Sequence, residues 1–149
     1  MDAELKLTQV MQAAAGRYAD LKAAFRKFRQ AAREAFASNV RYAPLAVPLG
    51  EMVDGYKFDI EYAGRTIWLV LSLRLDDTET AVGQVGCFMQ RVDAGAPLVL
   101  LGRFTLSKLG DTNLEHPDHL DQKINVFEPH GAAYVVLHCL RLALKKDWD

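Results

Sequence analysis

Residues 3–36 read AELKLTQVMQAAAGRYADLKAAFRKFRQAAREAF. Apolar or small side chains recur in this run as Leu7, Met11, Ala14, Tyr18, Leu21, Phe25, Phe28, Ala32 and Ala35, at alternating steps of four and three. A 3.5-residue repeat held over four heptads predicts a helix with one narrow apolar seam suited to another packed surface. At about 1.5 Å per residue such a helix runs roughly 50 Å. A compact domain of 149 residues is only about 38 Å across. The helix therefore either breaks at Gly16 or carries residues 1–16 beyond the body of the domain, where they need a partner. Leu7, Val10 and Met11 are then the expected contact residues.

Beside the seam, Lys22, Arg26, Arg29 and Arg33 follow one another at steps of four, three and four, with Lys27 close by. Their simplest reading is a solvated helix face. The sharper reading is a docking strip for an acidic partner or a phosphate backbone. The charge is unevenly spread: residues 1–36 hold seven Lys or Arg against four Asp or Glu, and residues 37–149 hold eleven against fifteen. The net charge of −1 argues against a chain devoted to nucleic acid.

Past Phe36 the rhythm changes. Ser38 to Gly50 has two prolines and no helical period, so the helix ends by Ser38 and a connector or edge segment follows. Tyr56, Phe58, Ile60 and Tyr62 alternate with Lys57, Asp59 and Glu61, as in a strand with one dry and one wet face. After the turn Ala63-Gly64-Arg65, Thr66 to Leu75 reads as a second strand. Its middle is apolar on both faces, which places it centrally in the sheet or under cover on both sides. Asp76 to Thr80 makes the next turn, Ala81 to Val92 a third strand, Asp93 to Ala96 a turn, and Pro97 to Leu106 a fourth strand. Short connections make this a four-stranded antiparallel meander. Gly83 and Gly86 within the third strand imply a bulge or a closely crossing helix rather than a phosphate loop. Ser107 to Gln122 reads as a polar loop, Lys123 to Glu128 as a candidate fifth, edge strand, and His130 to Lys146 as a helix apolar around most of its circumference, with Pro129 in its first turn. The expected fold is one α+β domain: long first helix, meander, buried last helix.

Few residues offer chemistry. Asp111, His116 and His119 supply lone pairs that suit a divalent metal, but Pro117 prevents a regular helical presentation of the two imidazoles, and a solvated acidic loop is the simpler account. Asp59 and Glu61 share the wet face of the first strand about 7 Å apart and read as its polar half. Cys87 and His138 form a conceivable nucleophile and base, yet nothing local marks either as activated. The two cysteines sit in apolar stretches, as small core residues of a reducing compartment do. With no basic, apolar leader and no apolar run of about 20 residues, the expectation is a cytoplasmic protein without membrane contact or cofactor. The first reading of function is a non-enzymatic interaction module assembled as a homodimer or with another protein. The second is a small-molecule site between sheet and helix, lined by Tyr56, Trp68, Phe88 or Tyr134. The third is nucleic-acid binding through the basic stripe.

Overall fold

The computed structural model describes residues 2–91 and 95–147. Val92, expected to end the third strand, and Asp93 and Ala94, the first half of the turn expected after it, lie outside them. Helix α1 (Ala3–Ser38) runs unbroken through Gly16, about 54 Å for 36 residues. Asp2 caps it, its side chain accepting the Glu4 amide at 3.0 Å. Its far end closes where Asn39 N–H donates to Ala35 O, and a short 3-10 turn at Ala43–Leu45 leads the chain away.

Six strands follow: β1 (Lys57–Tyr62), β2 (Arg65–Leu75), β3 (Ala81–Gln90), β4 (Val99–Leu106), β5 (Asp111–Glu115) and β6 (Lys123–Asn125). They pair antiparallel in chain order, and helix α2 (Pro129–Lys145) closes the chain with Pro129 in its first turn. The α+β architecture is as expected, with two more strands than the four-stranded meander. One is the edge strand at β6. The other, β5, lies inside the expected polar loop, because its inward residue is polar. Thr112 is buried, and its hydroxyl donates to Ile124 O at 2.8 Å, doing for this strand what an apolar side chain does for the others.

Both helices cover one face of the sheet. Phe58 and Ile60 of β1, Ile67, Leu69 and Leu71 of β2, Val85, Cys87 and Met89 of β3, and Phe104 and Leu106 of β4 alternate inward onto Phe25 and Phe28 of α1 and onto Ala132, Val136, Cys139 and Leu140 of α2. The ring centroids of Phe25 and Phe58 stand 5.3 Å apart, and those of Phe28 and Phe104 stand 6.2 Å apart edge to face. Among the described residues the opposite face carries no helix, so β2 has a strand on either side but is covered on one face only.

The two strand glycines have different causes. A Cβ at Gly83 would lie 2.7 Å from a Leu21 methyl, so α1 crosses β3 there. At Gly86, on the open face, the space is filled by the Phe88 ring. The register against β4 shifts one step further on, between Cys87 and Phe88, where Leu101 is the additional residue.

Candidate functional site

The seam of α1 changes environment partway along. Leu21, Phe25 and Phe28 are sealed against the sheet, and Ala14 is 5% exposed, whereas Met11 is 55% and Leu7 60% exposed. One heptad stripe is therefore core from Leu21 onward, covered at Ala14, half-covered at Tyr18, and bare before them. Val10, expected with these two as a contact residue, is half-buried beside Leu75 and Ala81 at the turn after β2, so part of its surface is spent within the chain.

Next to the bare stripe lies a groove of about 510 Å³. Met11, Ala14, Ala15 and Tyr18 form its helical wall, and Tyr56 with Val70 to Leu73 forms the other. The groove exists because β2 outruns β1. Pairing with β1 stops at Val70, so beyond Leu71, whose N–H is taken by Tyr56 O, the upper part of β2 has a neighbour strand only on the β3 side. Burial, and then the nearby Tyr56 phenol, push the Tyr18 hydroxyl above its ordinary 10.0, and the Lys22 ammonium sits 5.2 Å over the Tyr18 ring at the lower end. The lining is otherwise apolar apart from Ser72, so the chemistry available is burial of apolar side chains.

The basic stripe does not stay together as an outward face. Arg29 is 9% exposed; its Nε donates to Gly50 O at 2.7 Å and its guanidinium lies 3.8 Å from Glu51. It fastens to α1 the segment that borders β1, where Gly50 N–H donates to Asp59 O at 2.7 Å. Lys22 is half-buried, and Arg26 and Arg33 remain exposed.

The proposed pocket aromatics are not gathered into one site. Tyr56 borders the groove, Trp68 and Phe88 are cross-strand neighbours on the open face of the sheet, and Tyr134 of α2 lies near His116 and His130. Of the metal candidates, His116 and His119 stack with centroids 4.9 Å apart, and His116 Nδ1 accepts the Asp118 amide at 3.1 Å. Asp111 stands at the other end of β5, its carboxylate taking the Asn125 amide at 2.9 Å. Among the described residues no group of three or more His, Cys, Asp or Glu is placed to hold a metal ion.

Cys87 and Cys139 are both buried as free thiols. The hydrogen bond its thiol makes to Cys87, then burial, push the Cys139 thiol well above its ordinary 9.0. His138 is half-buried, and burial followed by Arg141 holds its pKa below the ordinary 6.5. No helix among the described residues is long and apolar enough to cross a membrane.

The groove residues missed in the sequence are Ala15 and, on β2, Val70, Leu71, Ser72 and Leu73. Their meeting depends on how far α1 rides past the end of β1, for which the sequence carries no signal. Compared with protein-family models, curated proteins and solved structures, the chain finds no match in any of the three.

Proposed function

We propose that this is a binding protein of the cytoplasm that acts by assembly, and that its first partner is a second copy of itself, docked through the amino-terminal half of α1. The observation that carries the reading is the exposure of Leu7 and Met11, 60% and 55%, in the same stripe whose continuation forms the core. Isolated surface hydrophobic residues need no explanation, but Leu7 and Met11 in register beside an apolar groove make a continuous patch.

A second copy suits this surface because ridge and groove adjoin on one chain. A two-fold axis near Ala13 and Ala14, where side chains are smallest, sets the Met11 of each copy against the Ala15 and Tyr18 of the other, as an isologous contact requires. An antiparallel crossing also matches charge. Residues 2–10 carry two acids and one base, while residues 17–27 carry four bases and one acid. Glu4 and Lys22, eighteen residues apart, fall on the same side of the helix after five turns. Each therefore meets its opposite in the partner. Exposed pairs of this kind set orientation more than affinity.

The test is sedimentation velocity on the intact chain and on a Leu7→Glu, Met11→Glu variant, with circular dichroism to confirm retained helix. The reading expects a dimer that the double substitution converts to a folded monomer. A variant that sediments like the parent would overturn it.

A further inference from the structure

The face of the sheet turned away from the helices has a depression of its own. About 430 Å³ in volume, it is bounded by Arg74 of β2, Gln84 of β3, Arg103 and Thr105 of β4, and Asn113 of β5, with Phe104 contributing at its floor. Its shape follows from the register. Ser72, Gln84 and Thr105 lie in one cross-strand row, with Arg74 one row to one side and Arg103, opposite Gly86, one row to the other. Long side chains thus flank short ones. The Phe88 ring folds back over Gly86 and forms an apolar shoulder beside Arg103.

The depression is rich in hydrogen-bond donors. Each guanidinium offers five N–H groups and no acceptor. Asn113 Oδ1 is already committed, accepting the Thr105 backbone N–H at 2.9 Å, so the amide end of that side chain is the one left for a ligand. The Thr105 hydroxyl and the Gln84 carboxamide complete the set. Among the described residues no carboxylate lines the site. Hydrogen bonds from Thr80 and Thr78, and last the Arg74 charge, hold the Asp76 carboxyl below its ordinary range; its Oδ1 accepts the Thr78 and Thr80 amides, both at 2.9 Å, and the Thr78 hydroxyl at 2.7 Å. Arg103 enters no ion pair among the described residues.

We propose that this depression binds a small organic oxyanion, its phosphate or carboxylate group held between Arg74 and Arg103 and its body resting toward the Phe88 ring. Two guanidiniums bordering one depression that no described carboxylate lines suit the recognition of planar or tetrahedral oxyanions. The volume lies within the usual span for small-molecule sites, about 300–1,000 Å³, and exceeds what a bare phosphate fills. The site is on the opposite side of the sheet from the helical core and does not depend on the assembly proposed above.

The experiment is a titration of isotope-labelled protein, followed by amide shifts, with three probes: inorganic phosphate, phenyl phosphate and phthalate. Saturable shifts confined to residues around Gln84, Arg103, Thr105 and Asn113 are expected, with phenyl phosphate or phthalate binding more tightly than inorganic phosphate. A phosphate-only response assigns the ligand group to phosphate, and a phthalate-only response to carboxylate. Arg103→Gln weakens binding at least tenfold, Arg103→Lys weakens it less, and Arg33→Gln, on the exposed side of α1, leaves it unchanged. Both substituted positions, Arg103 and Arg33, are exposed, so the fold is expected to be retained. The proposal is overturned if none of the probes binds, if the shifts spread over every basic surface, or if Arg103→Gln binds like the parent.

Discussion

Replacing Gly83 by alanine tests how tightly α1 is seated on the sheet. The added Cβ would lie 2.5 Å from Leu106 O and 2.7 and 2.9 Å from the two Leu21 methyls. The carbonyl belongs to the residue paired with Gly83 across the β3–β4 ladder, and Leu21 is 1% exposed within the core. Neither side can yield freely, so the methyl forces strand and helix apart, a form of overpacking that costs about 1–3 kcal/mol. With an unfolding entropy of about 2.1 cal/mol/K per residue over 149 residues, each kcal/mol moves Tm by about 3 °C. Gly83→Ala should therefore melt about 3–10 °C lower by calorimetry. In a Leu21→Ala background the same substitution costs less, the remainder being the contact with Leu106 O. Gly16→Ala is the opposite control, since its Cβ meets nothing within 4 Å in mid-helix; it should gain about 0.5–1 kcal/mol, or about 2–3 °C. A Gly83→Ala protein that melts with the parent would refute the reasoning.

Arg29→Ala removes a charged hydrogen bond to a backbone carbonyl and should cost about 1.5–3 kcal/mol in urea unfolding, whereas Glu51→Gln, its carboxylate almost wholly in solvent, should stay within about 0.5 kcal/mol. His138 is held below 6.5 in the folded chain, so the unfolded chain takes up the proton first. Its contribution is complete above 6.5, declines as pH falls from there to the lowered folded value, and changes no further below it. Denaturation profiles at several pH values should show this shallow loss, and His138→Gln should abolish it. Cys87 and Cys139 should resist a disulfide reagent in the native protein and react on unfolding; fast native labelling of either would contradict their burial.

The parts of the fold that could be read in the sequence are those governed by local periodicity. The 3.5 repeat from Leu7 to Ala35 and the period of two from Lys57 onward marked α1 and β1, and Pro129 marked the start of α2. Gly83 and Gly86 imply a bulge or a crossing helix, and at Gly83 the helix crosses. β5 escaped because periodicity counts apolar side chains, and this strand turns the hydroxyl of Thr112 inward on a hydrogen bond that only the fold supplies. Arg29 looked like one member of an exposed stripe, and its burial depends on the segment around Gly50 returning to the helix, a pairing between residues 21 positions apart. The groove and the Arg74–Arg103 depression are similarly products of strand length and register. Each residue that lines them looks ordinary in its own stretch of chain.

The central claim is that the bare start of the α1 seam, at Leu7 and Met11, is covered by a second copy. The most direct measurement is the mass in solution by light scattering, from about 1 to 200 µM, the range in which association free energies near −8 kcal/mol and weaker become visible. The account predicts a mass rising with concentration to twice the 16.6 kDa of the chain. A mass of 16.6 kDa held across the whole range would contradict it.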